Sequence, residues 1–244
     1  MIIVVGSGPA AVSATSALVA RGHRVRILDA GLELPPERRA LVDTLAATAP
    51  SEWPPETVEA LRANTRVSVG GVPQKLVHGS DHPYRQVERW MPFSTTGCDT
   101  RPTLARGGFS TVWGACALPV LEDDIEDWPI GRADLAPHYR AVRAFLPLSA
   151  WADDLADELP LYGPSDAPVR RSAQAEQLLN DLDRARSRLG SAGFRFGTSR
   201  IAVRAHADAG GAGCCYCASC MYGCPYGAIY DASETLARLR ASGR

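Results

Sequence analysis

The chain has 244 residues, 45% of them hydrophobic, and a formal net charge of −1 with both signs mixed along its length. That balance allows a sizeable buried core and gives no electrostatic case for nucleic acid as a partner. No run approaches the roughly 18 continuous apolar residues of a membrane span. No basic segment precedes MIIVVGSG as it would in a secretory leader, so a cytoplasmic protein that is not integral to a membrane is expected.

The first thirty-one residues organise the rest. Ile2 to Val5 predicts a short, fully buried strand, and Gly6-Ser7-Gly8-Pro9-Ala10-Ala11 turns the chain tightly. Ala10 to Ala20 predicts a small-residue helix, Val25 to Leu28 a second strand, and Asp29 stands at its end. This is the order of a dinucleotide-binding βαβ unit. Gly6 allows the turn, Gly8 lets the backbone approach a diphosphate, and Ala11 fills the third small position where helix and strand pack. The helix N-terminus at Pro9, Ala10 and Ala11 turns N–H groups toward anionic oxygens. Asp29 can accept from ribose hydroxyls and would repel a 2′-phosphate. At this point FAD and NAD fit equally.

Further along, Pro35-Pro36 opens a helix to about Ala47, and Ser51-Glu-Trp-Pro54-Pro55 begins another that ends near Asn64. Residues 67–98 are irregular, a length of loop that usually covers something. Ala105-Arg106-Gly107-Gly108-Phe109-Ser110-Thr111-Val112-Trp113-Gly114 is a second glycine-opened turn. It either precedes a helix or brings backbone against a flat ligand, with Ser110 as a donor. Asp123 and Asp124 read as solvated caps. Asp134 is expected to cap a helix to about Leu146, with Leu135, Tyr139, Val142 and Phe145 facing a core. Another helix is predicted over 172–189, striped by Ala175, Leu178, Leu179, Leu182 and Leu189, then a strand over 194–203. Asp231-Ala-Ser233-Glu starts a last helix. Lys75 is the sole lysine, read as compositional bias. Two parallel strands are few for a doubly wound sheet. The expectation is therefore an α/β, incomplete Rossmann-like domain over 1–244, truncated at its C-terminus or completed by a partner.

Five of seven cysteines fall between Cys214 and Cys224, a local site rather than a dispersed disulfide framework. Cys217-x2-Cys220-x3-Cys224-Pro225 is similar to the closing part of a bacterial ferredoxin run. Gathered thiolates repel unless a metal neutralises them or they oxidise, so iron–sulfur, structural zinc, and disulfides or inert thiols all stand open. His206 reads as an ordinary loop histidine.

Residues 1–31, 106–139 and 213–240 together resemble the N-terminal half of the glucose–methanol–choline family of FAD-dependent oxidoreductases. Carried over from it are the second flavin loop at 105–114 and the segment Asp124-Ile125, Trp128-Pro129-Ile130, Leu135, Pro137 and Tyr139. The resemblance implies that Gly6, Gly8, Pro9, Ala10 and Ala11 hold the FAD diphosphate and Asp29 the adenosine ribose. It implies that Gly107, Gly108, Ser110, Trp113 and Gly114 line the flavin side, with 67–133 as covering loops. The cysteine-rich segment 206–230 resembles that of bacterial sugar and polyol dehydrogenases in the same family. In that pattern Cys214, Cys215, Cys220 and Cys224 would hold an iron–sulfur cluster passing electrons to a cytochrome, and Cys217 is a departure. The implied activity is oxidation of a CH–OH group of a small alcohol or sugar by hydride transfer to flavin. The implied catalytic base lies beyond residue 244, and His78, His82, His138 and His206 match no motif for it. The competing readings are an inactive FAD-binding or interaction fragment and a flavin-dependent sugar-nucleotide mutase.

Overall fold

The computed structural model describes residues 1–62, 68–69, 72–97, 102–164 and 168–243. The chain forms a mixed α/β fold that divides into two compact units, one of residues 1–114 with 215–244 and one of residues 115–214. Among the described residues no helix is long and apolar enough to cross a membrane.

In the first unit, β1 (Ile2–Val5) and β2 (Val25–Leu28) pair in parallel, Ile2 opposite Val25 and Val5 opposite Leu28. The crossover between them is α1 (Pro9–Ala20). Proline at its first position costs nothing, because that N–H has no helical partner in any case. The small side chains of α1 let it lie close on both strands, with Val12 fully buried. β1 departs from the expectation of complete burial: Ile3 is 55% and Val5 80% exposed. In this two-stranded sheet burial alternates along the strand, so a continuous apolar run is half-buried rather than covered on both faces.

The helices α2 (Pro36–Ala46) and α3 (Pro55–Arg62) pack together over the main core of this unit. That core is Leu34, Val42, Leu45, Leu61, Val77 and Val112, with Leu41, Trp53, Val58 and Tyr84 against it. Each such side chain stabilises by about 1.5–3 kcal/mol on full burial, so residues from four separated stretches are fastened here. β3 (Ser68–Val69) and β4 (Val72–Pro73) form a short antiparallel pair, and α4 (Val87–Trp90) is a single turn. Positions 67, 70–71 and 98–101 of the expected covering segment lie outside the described residues.

The second unit holds α5 (Arg132–Val142), α6 (Ala173–Arg184) and α7 (Arg186–Ser191). Gly131 rather than Asp134 caps α5; Asp134 sits three residues in and its carboxylate accepts the Gly131 N–H at 3.0 Å. Asp123 and Asp124 are exposed and belong to one 3-10 turn. The helix expected over 172–189 breaks at Ala185, whose N–H bonds back three residues to Leu182. Its stripe is half-buried at best, with Leu178 58% exposed. No continuous strand forms over the expected 194–203; Ile201 bridges Cys116 and Ser149, and Val203 is a further isolated bridge residue. Backbone bonds fasten it, with Ala117 N–H donating to Arg200 O, Ala202 N–H to Ala115 O and Ile201 N–H to Ser149 O, and side-chain bonds add to them. Buried Arg200 donates to Leu159 O, Thr198 O and Asp153 Oδ1, each at 3.0 Å, and Asp153 Oδ2 accepts the Thr198 N–H. α8 (Ala232–Ala241) returns the chain to the first unit and packs on α1.

Candidate functional site

The site is built inside the first unit, where two glycine turns meet. Gly6 adopts φ +92°, a conformation that favours glycine, and its N–H donates to Leu28 O at 2.7 Å. Gly8 accepts the Val12 N–H at 3.0 Å and so starts α1. The amides of Ala10 and Ala11 fall in the first turn, where helical geometry provides no carbonyl for them. Ser7 between the glycines is buried, and its Oγ accepts the Gly107 N–H at 2.9 Å. A Cβ added to Gly8 would lie 3.8 Å from Gly108 Cα, and one added to Gly108 would lie 3.0 Å from Gly8 Cα. The turns therefore touch backbone to backbone.

The second turn is held from behind by α8. Arg106 N–H donates to Leu32 O at 2.8 Å, continuing a short ladder beside the first strands' return. Gly107 and Gly108 then adopt φ +93° and +62°. A Cβ on Gly107 would stand 2.5 Å from Asp231 Oδ1 and 3.1 Å from Ser233 N. Buried Ser110 donates to Gly107 O at 2.5 Å and accepts the Ala232 N–H at 2.9 Å. Trp113 donates its indole N–H to Tyr230 O at 2.9 Å and meets that ring edge-on. Asp231 caps α8 by accepting the Ser233 N–H at 2.8 Å. Burial pushes its carboxyl up, opposed by the Ser233 hydrogen bonds and by Arg39 and Arg106. A Cβ on Gly114 would meet nothing, so that glycine is not required by packing.

Two cavities lie in the same unit, and residues 6–11, Gly107 and Gly108 line neither of them. One of about 210 Å³ is lined by Glu33, Arg39, Lys75, His78, His82, Arg106, Ser110, Thr111, Trp113, Cys224, Asp231 and Glu234. The other, about 400 Å³, is lined by Thr15, Asp29, Gly31, Glu33, Arg106, Leu236 and Arg240. They share Glu33 and Arg106, which form an ion pair. Asp29 thus lies in one cavity and Ser110 and Trp113 in the other; one Asp29 oxygen accepts the Gly31 N–H at 2.7 Å.

Sequence reasoning missed three members of the smaller cavity. Lys75, read as compositional bias, donates from Nζ to Trp113 O at 3.0 Å, and Tyr84 Oη donates to Lys75 O at 2.8 Å. Burial lowers the pKa of Lys75, with Cys220 acting against it. His78 sits at φ +50°, its N–H donating to Tyr222 O at 2.6 Å. Its ring lies against Gly223, where a Cβ would fall 2.5 Å from Cε1. His82 is 5% exposed; its N–H donates to Ser80 Oγ at 3.2 Å, and among the described residues its buried Nδ1 has no hydrogen-bond partner. Burial brings His78 down to about 4, helped by Arg39, His82 and Lys75. Burial likewise brings His82 to about 4, with Arg85 and Arg39 lowering it and Asp81 opposing. Both imidazoles are neutral at pH 7. The only sequence signal was two histidines four apart in a stretch without periodicity. His138 and His206 belong to the other unit.

The thiols divide among several surroundings. Cys224 lines the smaller cavity, and its Sγ accepts the Ala228 N–H at 3.3 Å. Cys217 lines a shallow depression with Trp53 and Arg62. Cys220 acts electrostatically on Lys75. Cys214 belongs to the second unit, donating its N–H to Arg204 O at 2.8 Å, whereas Cys215 belongs to the first. Burial raises the Tyr226 phenol, and Cys215, Cys217 and Cys224 are close enough to raise it further. Among the described residues no three His, Cys, Asp or Glu side chains gather to hold a metal ion.

No protein-family model matches the chain, and comparison with curated proteins returns no match.

Proposed function

We propose that the first unit is a Rossmann-type FAD site and that the chain belongs to an oxidoreductase acting on a CH–OH group of a small alcohol or sugar. The observation that carries this reading is the joining of two glycine turns one hundred residues apart, at Ser7 and Gly107. A turn serving only a mononucleotide half has no need of a second glycine pair pressed against it. Space is open beside Gly6, where an added Cβ meets nothing within 4 Å. The Ala10 and Ala11 amides offer hydrogen bonds to a diphosphate there. Asp29 lines one cavity and Ser110 and Trp113 the other, and the two share Glu33 and Arg106. Asp29 would accept from ribose hydroxyls, and Ser110 and Trp113 would border the ring end. When bound, FAD supplies the acceptor for a hydride leaving an alcohol carbon. The chain's own part is to position that acceptor and to shield it, with Trp113 and the buried histidines in the wall. Electrons then pass to an external acceptor.

Titrating the purified chain with FAD, followed by quenching of flavin fluorescence, tests this reading. Saturable binding with one flavin per chain, lost in Gly8→Val, is expected. Absence of binding by a folded chain, or equal binding by Gly8→Val, overturns it.

A further inference from the structure

We propose that the corner of the smaller cavity formed by His82, His78, Lys75 and Arg39 is a recognition subsite for a small oxyanion, a carboxylate or phosphate group carried by a ligand. The proposal stands on geometry that holds whether or not flavin is the cofactor. His82 is almost wholly buried, yet among the described residues its Nδ1 has no hydrogen-bond partner. A buried polar atom of this kind costs roughly 1–3 kcal/mol unless it is satisfied, and the residue that carries it lines the cavity.

The corner is also built rather than incidental. Val77 and Ser80 exchange backbone hydrogen bonds, Tyr84 N–H donates to Asp81 O, and Thr103 Oγ1 donates to Pro83 O at 2.6 Å. Tyr84 Oη holds Lys75 from its backbone side, and Gly223 leaves the room that the His78 ring occupies. The charges that act on His78, those of Arg39, His82 and Lys75, all disfavour its protonation, and no carboxylate opposes them. On His82 the only opposing carboxylate is Asp81, which is already paired with Arg85. Glu33 is paired with Arg106; Asp231 caps α8 and feels Arg39 and Arg106; Glu234 lies elsewhere on the same cavity wall. A fixed positive field in a partly dry cavity, with neutral imidazoles able to donate, matches an oxygen that brings its own negative charge.

Side-chain imidazole NMR of the full chain at constant ionic strength tests this. The probes are inorganic phosphate, glycolate, and ethylene glycol as the uncharged counterpart of glycolate. Phosphate and glycolate should shift the His82 and His78 resonances saturably and raise the titration midpoint of His82, while ethylene glycol leaves both in place. Lys75→Met should weaken glycolate binding roughly tenfold, the loss of one charge-assisted contact. Repeating the titration with FAD present separates the sources. Undisturbed binding assigns the subsite to the oxyanion of a second ligand, whereas full competition would show that the corner is filled by the cofactor's ring end beside Ser110 and Trp113 and overturn the assignment to an oxyanion. Equal shifts with ethylene glycol, or no saturable shift with either anion in the wild-type chain, would overturn the proposal without touching the FAD reading.

Discussion

Ser7 and Gly107, one hundred positions apart, are joined by a 2.9 Å hydrogen bond in which the buried Ser7 hydroxyl oxygen accepts the Gly107 N–H. The bond fixes the first glycine turn against the second, and α8 fixes the second from behind. Several consequences can be measured.

Ser110→Ala should destabilise the chain by about 1–3 kcal/mol, because it strips a partner from the buried Ala232 N–H and from Gly107 O. Chemical denaturation measures this. A change below about 0.5 kcal/mol, the size expected of an ordinary surface substitution, would mean that the link between the glycine turn and α8 carries no weight.

Gly107→Ala should be worse than Gly108→Ala. Both need φ > 0, but the Gly107 Cβ would meet Asp231 Oδ1 at 2.5 Å and disturb the helix cap, whereas the Gly108 Cβ meets Gly8 Cα at 3.0 Å. Strain and cap loss together suggest about 2 kcal/mol or more for Gly107→Ala. Thermal unfolding of the two variants gives the order, and the reverse order would refute this account of the second turn.

Stability should fall on acidification between pH 6.5 and about 4. His82 has an ordinary pKa of 6.5 when unfolded and about 4 when folded. The unfolded chain therefore takes up the proton first, so the contribution is present above 6.5 and lost as pH drops toward 4. A fall from 6.5 to about 4 corresponds to roughly 3 kcal/mol. Urea midpoints across this range for wild type and His82→Asn should diverge, the variant losing less. Parallel curves would show that His82 is not held neutral by the fold.

Much of this site was legible in the residues, for a physical reason: β1, the Gly6–Ala11 turn, α1 and β2 are set by local sterics and small-residue spacing. Their bounds therefore follow from residues 1–31 alone, and Asp231 announces α8 in the same way. The burial of β1 was not legible, since burial depends on what the rest of the chain lays on each face. The segment 194–203 alternates like a strand, but its backbone pairing is confined to isolated bridges near Ile201 and Val203, and the Arg200 side chain anchors the rest to Leu159, Thr198 and Asp153. Lys75, His78 and His82 were invisible as a group because nothing periodic connects them. Only the folding of the 75–85 loop against Trp113 and Gly223 places them in one wall.

In the second unit, Asp153→Asn should cost about 3 kcal/mol, leaving the buried Arg200 guanidinium without its counter-charge. Burial alone would raise the Asp153 pKa. The Thr198 N–H, Arg200 and the Leu155 N–H together outweigh it and hold the carboxyl below its ordinary 3.8. Its contribution is therefore complete above that value and lost as pH falls through the lower folded one. A variant as stable as wild type at pH 7 would contradict this.

The central claim is that the joined glycine turns hold FAD. The most direct measurement is acid release and mass-spectrometric identification of whatever the folded chain retains after incubation with equimolar FAD and NAD and gel filtration. The account predicts FAD at close to one per chain and no NAD. It also ranks the losses: Gly8→Val should abolish retention, because a branched side chain beyond a Cβ that already lies 3.8 Å from Gly108 Cα would push the two turns apart. Asp29→Ala should weaken it only by the hydrogen bonds it removes, roughly 0.5–3 kcal/mol. Retention of NAD without flavin, or equal losses in the two variants, would contradict it.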